Sequence, residues 1–408
     1  MPFSMLALLL ASTRGALLGL SVKDYGAVGD GVTDDAAAIQ RAIDASVNSG
    51  RTLLVPAGMY AVSAALIVPC THRPNGIEGN PVRLVGEGHR ASTIFASRQM
   101  QAVLYLNSTA PPSHGQPAIT TNGHEVSDLT FDAGMKANYS VYAPALTRST
   151  FRRLVLKGGV LSGLRFGFGW INSVQGCKFT GNGPVSLWMA NNVNNVNVLN
   201  NMFESNSGIG VLVNGGVQVL LQGNVFESMG SAAVMARGVG ALQVRSNYFE
   251  ANNYAPLQRA SHPVGFVDEV TGSKRVMCAD IILDGSALVA PGDYSFDPAA
   301  IRLGHRGVLV TSAVVSGNYF NPDQDGGGGS GNCSAYSGVA SLGATAVVVE
   351  ANSCHGCNKR HPTRVCVAAS GANVTDASLF RVAMNSGWTT EAWYSYSSGH
   401  GFVEGWLS

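Results

Sequence analysis

Charge is what this chain has least of. Only 12% of its 408 residues are Asp, Glu, Lys or Arg, against about 25% in an ordinary globular protein, and the formal net charge is +1. Long helices with solvated, charge-laced faces are therefore largely excluded, and so is the basic stripe that a nucleic-acid surface requires. Long apolar runs are missing too: past the N-terminal segment no stretch is long and apolar enough for a membrane span. A second Cys-x-x-Cys pair is also absent. The motif "CHGC" at 354–357, with His355 inside it and His361 nearby, thus lacks half of a four-ligand zinc site.

Other features indicate the compartment. The opening "MPFSMLALLLASTRGALLGLS" carries a single charge, Arg14, and residues 1–20 read either as a signal peptide or as a buried segment. Asn107, Asn138, Asn332 and Asn373 each begin an Asn-x-Ser/Thr glycan acceptor. Together they point to a secreted protein, extracellular or in a cell wall. In that setting Cys333, Cys354, Cys357 and Cys366 favour at least one disulfide over zinc, while Cys70, Cys177 and Cys278 are scattered and leave an odd thiol.

The strongest signal is a repeat. "NNMFES" at 200–205, "GNVFES" at 223–228 and "SNYFEA" at 246–251 place Asn201, Asn224 and Asn247, and likewise Phe203, Phe226 and Phe249, at one fixed interval of 23. Between them run short alternating segments such as "VLVNGG" and "VQVLLQGN", strands with glycine and asparagine at the corners. A fixed period in the twenties marks a solenoid, and three short strands per turn of chain make it all-β: a right-handed parallel β-helix. The phenylalanines should form an interior stack, the asparagines a corner, and Glu204, Glu227 and Glu250 an outward ladder. "LTFDAG", "LVLKGG" and "GCKFTGN" read as earlier coils, the last with Cys177 at the asparagine position; "GNYFNP" at 317–322 and "VVVEANSC" at 347–354 read as later ones. The gap between Phe249 and Phe320 is far longer than one coil and requires a long insertion, and "DGGGGSG" at 325–331 is a loop or linker. The expected division is β-helix with its cap over 21–324 and Cys-containing coils and tail over 325–408.

The segment "VKDYGAVGDGVTDDAAAIQRAID", followed by "VPAGMY", differs. Thr33 is the expected N-cap of a short amphipathic helix, with Asp34 and Asp35 near its positive end and Ile39, Ile43 and Val47 on one apolar face. Such a helix would close the open end of the solenoid. This segment closely resembles the opening of the pectate-lyase-like superfamily, in its rhamnogalacturonase and epimerase-type branch. The resemblance implies a β-helix that acts on polysaccharides, with no resident cofactor, calcium entering only if the activity is that of a lyase. The shared opening is a structural cap and does not choose among lyases, hydrolases, epimerases and tailspikes. Two family signatures do not carry over. The "GHG" at 399–401 lacks the Asn-Thr-Asp and paired Asp residues of polygalacturonases, and the Asp-Pro-His motif of alginate epimerases is missing.

Candidate chemistry follows from the coil alignment. Asp30, Asp34 and Asp35 resemble a metal site in composition but serve as turn and capping residues, so no metal site is expected. The Glu ladder offers either an acid–base pair about one coil apart or a solvated face, and the second reading is preferred. Alternation places Leu187, Val211 and Val234 inward and Trp188, Asn214 and Arg237 outward. Arg165 and Arg302 extend that row, giving an exposed track of aromatic, amide and guanidinium groups for an acidic sugar chain. The insertion "SHPVGFVDEVTGSK" should overhang it, bringing His262, Asp268 and Glu269 nearest. The leading expectation is a secreted enzyme cleaving a uronate-containing polysaccharide, with Asp268 and Glu269 as acid and base or Arg237 neutralising a uronate carboxylate. The alternative is a non-catalytic glycan-binding or cell-surface structural β-helix.

Overall fold

In a strand every second side chain points the same way, so a three-residue strand x-Phe-x buries its centre and shows its flanks. The computed structural model describes residues 19–69, 80–108, 121–190 and 193–253, and beyond them the segments 264–267, 274–284, 311–321, 335–342, 345–354, 365–369, 381–383 and 394–396. Three-residue strands at Thr130–Asp132, Val155–Lys157, Lys178–Thr180, Met202–Glu204, Val225–Glu227, Tyr248–Glu250 and Tyr319–Asn321 pair in parallel without a register slip. One core lane therefore runs Phe131, Leu156, Phe179, Phe203, Phe226, Phe249, Phe320, every member fully buried. The last five rings stack nearly parallel, with centroids 4.7, 4.7, 5.2 and 4.8 Å apart. Burying each ring contributes about 1.5–3 kcal/mol, and each stacked pair about 0.5–1.5 kcal/mol more.

A second sheet carries longer strands, among them Ser162–Gln175, Ile209–Gln222 and Val234–Arg245. They bend partway along. Ile171, Asn195, Gln218, Ala241 and Ser312, one in each successive coil, take positive φ between 51° and 60°. At these bends Gly169 and Gly216 lie so close to the preceding coil that a Cβ would meet the carbonyl of Leu146 or Val193. Every described pairing between coils is parallel, so the molecule is a parallel β-helix with coils stacked along one axis.

Asn201, Asn224, Asn247, Asn318 and Asn352 occupy one corner, all buried. Each Oδ1 of Asn224, Asn247, Asn318 and Asn352 accepts both the backbone N–H and the Nδ2 of the asparagine one coil earlier, at 2.9–3.0 Å. Each Nδ2 also donates to a strand carbonyl, as Asn224 does to Val198 at 2.9 Å. Cys177 holds the first position of this lane, donating its N–H to Asn201 Oδ1. Its thiol, fully enclosed, is pushed up to about 12 by burial and is inert.

The N-terminal helix, α1, spans Ala36–Ser49 and buries Ile39, Ala42, Ile43 and Val47. Its N-cap is Asp35 rather than Thr33. Thr33 is drawn instead to Asp30, whose carboxylate takes its N–H and its hydroxyl. Asp35 reaches back to the N–H groups of Val28 and Gly29, and Asp34 accepts from the Ser63 N–H and hydroxyl and from Ala36. All three aspartates thus tie the cap to the first coils.

One corner residue makes stability depend on pH. His124 is 1% exposed, and its Nδ1 accepts the Val82 N–H at 3.0 Å. Burial is the main cause that pulls its pKa down to about 4 from 6.5. The neutral ring suits the fold, whereas the unfolded chain takes up the proton. Its contribution is complete above about pH 6.5 and is lost as pH falls towards 4, on the order of 3 kcal/mol in all. Urea midpoints at pH 4.5 and 7.5 should differ more in wild type than in His124→Asn, whose amide can still accept from Val82. Equal pH sensitivity in both would refute this role.

Candidate functional site

The outer face of the long-stranded sheet is built from lanes, one residue per coil. The first runs Ile67, Tyr105, Tyr142, Arg165, Trp188, Leu212, Met235, Ile282. It changes character along its length. Ile67 is 41% exposed and Tyr105 and Tyr142 are half-buried, whereas Arg165 is 8% and Trp188 2% exposed. From there the face is closed and apolar: Val185, Trp188, Ile209, Leu212, Met235 and Ile282 form a buried cluster of their own.

At the open end the rings are ordered by stacking. Tyr105 and Tyr142 lie 5.4 Å apart at 10°, and Tyr139 stacks on Tyr142 at 4.8 Å. The Arg165 guanidinium sits 5.2 Å from Tyr142, 5.7 Å from Tyr139 and 4.5 Å from Trp188, a cation held between aromatic faces on neighbouring coils. Burial, with Tyr142 a lesser contributor, holds the Tyr105 phenol above its ordinary pKa, so it remains a protonated donor near neutrality.

The sequence-derived track is only partly assembled. Trp188 and Arg165 do stand on adjacent coils of one lane, but both are buried rather than exposed, Trp188 within an apolar cluster of the same face and Arg165 against its ring. Asn214 pairs with Arg237, and Arg237 with Asp284, in a lane two residues further along the strand, so Trp188 lies beside Leu212 and not beside Asn214. Arg237 is half-buried, with Nε and Nη2 shielded from solvent. His262, Asp268, Glu269 and Arg302 lie outside the described residues, as do the side chains of Cys333, Cys354, Cys357 and Cys366 on which the expected disulfide depends. The segment before Asp268 is described: Val264–Val267 pairs antiparallel with the start of Lys274–Asp284 and so hangs from this same sheet. Tyr105, Tyr139 and Tyr142 were not singled out from the sequence, although Tyr142 aligns with Arg165 once the register is known.

The Glu ladder is real and outward. Glu204, Glu227 and Glu250 pair in register, Glu204 bonding Lys178 at 2.5 Å. Glu227 is raised above its ordinary value, chiefly by burial and then by Glu250 and Glu204. Among the described residues no group of three His, Cys, Asp or Glu is placed to hold a metal ion, and Asp30, Asp34 and Asp35 are engaged by the cap.

Stacked coils, a phenylalanine core lane and an amide corner define a parallel β-helix protein of the pectate-lyase-like kind. The chain belongs to the rhamnogalacturonase A/epimerase, pectate lyase-like family, whose profile matches residues 19–255. It is 61% identical to mannuronan C5-epimerase AlgE4 of Azotobacter vinelandii over 46 residues, 11% of this chain and 8% of that one. With a glucan 1,3-beta-glucosidase of Cochliobolus carbonum it shares 33% identity over 115 residues, 25% of this chain and 13% of the other. These curated relatives thus match over a small fraction of their own length. Among solved structures, the Streptococcus pneumoniae surface protein and adhesin PfbA aligns with a TM-score of 0.54 and 15% identity, covering 90% of this chain and 97% of the other. That likeness is one of fold.

Proposed function

We propose that this is a secreted, carbohydrate-active right-handed β-helix that binds a uronate-containing polysaccharide at the open end of the long-stranded sheet and cleaves it. The observation that carries the reading is the Tyr105–Tyr142 stack leading into Arg165. Half-exposed aromatic edges suit sugar rings, the phenol of Tyr105, held protonated, donates to hydroxyl or carboxylate oxygens, and the guanidinium supplies positive potential beneath them. Relatives named for mannuronan and for a glucan support a carbohydrate substrate. Right-handed winding is the rule for parallel crossovers. Asn107 and Asn138, both exposed, lie just past and within the strands that carry the tyrosines, and suit glycan attachment in a secretory compartment. Acid and base are assigned to Asp268 and Glu269, on the excursion that Val264–Val267 hangs from the sheet, with Arg237 facing the uronate carboxylate.

A panel of plant and algal polysaccharides tests this directly. New reducing ends bearing an ultraviolet-absorbing double bond indicate a lyase, and new ends without it a hydrolase. Binding with no new ends would favour the non-catalytic reading, which has one observation behind it: the described side chains of the first lane include no carboxylate. Tyr142→Ala should weaken binding of an acidic oligosaccharide about tenfold, the loss of one aromatic contact of about 1.4 kcal/mol. A folded Tyr142→Ala protein with unchanged affinity would move the site elsewhere.

A further inference from the structure

The sheet of three-residue strands carries a second, chemically different surface. Outside the phenylalanine lane, each three-residue strand shows two flanking positions. Those before the ring run Thr130, Val155, Lys178, Met202, Val225, Tyr248, Tyr319; those after it run Asp132, Lys157, Thr180, Glu204, Glu227, Glu250, Asn321, in the order of the coils. In the earlier coils the carboxylates of this side have a cationic neighbour: Asp132 bonds Lys157 at 2.9 Å and Glu204 bonds Lys178. Past Lys178 the lane before the ring continues as Met202, Val225, Tyr248 and Tyr319 and the lane after it as Glu204, Glu227, Glu250 and Asn321, so successive carboxylates stand beside an aromatic edge.

The geometry there is specific. Tyr248 and Tyr319 stack at 5.4 Å and 9°, and Tyr319 is 37% exposed. The next rung is Ser353, so the aromatic stack ends at Tyr319. The Asn321 amide lies between the two groups, 3.4 Å from the Tyr248 hydroxyl and 3.5 Å from a Glu250 oxygen. Carboxylates one coil apart beside an aromatic terminus are the pairing that recognises ammonium groups, by ion pairing and by cation–π contact. Repetition at the coil spacing further suits a polymer carrying one such group per sugar. Uronates, by contrast, would be repelled.

We propose that the face formed by Glu227, Glu250, Tyr248, Tyr319 and Asn321 is a docking track for a cationic amino-sugar polysaccharide, a chain of glucosamine units lying along the solenoid axis. Its ammonium groups meet Glu227 and Glu250, and a sugar ring rests against Tyr319. This track lies on the other sheet from Tyr105 and Tyr142 and does not depend on the activity proposed there. It would anchor the protein to one polymer while the other face handles another.

Calorimetric titration of the full chain with a glucosamine hexamer at pH 6 tests it. Binding is expected in wild type, with affinity lowered about tenfold by Glu250→Gln and again by Tyr319→Ala, as for loss of a charged hydrogen bond and of a cation–π contact. The fully N-acetylated hexamer, which lacks the charge, should bind at least tenfold more weakly, and added salt should weaken the cationic ligand more than the neutral one. Tyr142→Ala should leave this titration unchanged, separating it from the first site. No binding in wild type, equal binding of both hexamers, or affinity insensitive to Glu250→Gln and Glu227→Gln would each overturn the proposal.

Discussion

Replacing Phe226 with alanine should lower the unfolding free energy by about 3–5 kcal/mol, the cost of emptying a fully buried aromatic position. Phe226 stands between Phe203 at 4.7 Å and Phe249 at 5.2 Å, in parallel registry above and below, so the rigid neighbouring coils cannot collapse into the space. Its chain neighbour supplies the control. Glu227 points outward between two like charges, and Glu227→Ala should change stability by no more than about 0.5 kcal/mol. Denaturant midpoints of the two variants check this. Comparable small losses in both would mean that the ring stack contributes little.

Asn224→Ala should be about as damaging, for a different reason. Its Oδ1 receives the N–H and Nδ2 of Asn201, and its Nδ2 donates to Val198 and Asn247, all within 2.9–3.0 Å and all buried. Truncation strands one backbone donor and one backbone acceptor away from water, at about 1–3 kcal/mol each, and weakens two amides besides, for about 3–5 kcal/mol. Asn224→Asp separates this from loss of volume. The carboxylate would face the Val198 carbonyl and Asn247 Oδ1 in a dry corner, so its pKa rises on folding. Relative to wild type at the same pH, the variant should then be least destabilised at low pH, and its deficit should grow as pH rises through that raised value. A deficit relative to wild type that is the same at pH 7 as at pH 4 would contradict the ladder.

These residues were legible in the sequence because Asn201 and its successors recur at one fixed interval, and a solenoid turns a fixed period directly into neighbours in space. A second amide corner escaped that reading. Asn182, Asn206 and Asn252 also bond across coils, but Met229 interrupts the lane and the first interval is 24. Alternation correctly sent Trp188, Asn214 and Arg237 outward, yet it could not distinguish lanes two residues apart, and Trp188 belongs with Leu212. Nor does alternation reveal what covers an outward face, which is why Trp188 reads as exposed from the pattern and is buried in the fold. The Thr33 cap failed because Asp30 competes for its hydroxyl, a contact set by the turn rather than by helix preference.

Phe249 and Phe320 are distant in the chain yet stack at 4.8 Å, as closely as rings on coils joined by a short connection. Two stretches of chain account for the extra length, one between Asn253 and Ile281, which includes the strand Val264–Val267, the other between Asp284 and Thr311; Ile281–Asp284 and Thr311–Ser316 each pair in register with Val234–Arg245. The scaffold therefore accepts extra chain at these two points without altering a single inter-coil step. Such a molecule can exchange these loops wholesale, as a chassis accepts different tools, while the amide corner and the ring stack stay fixed.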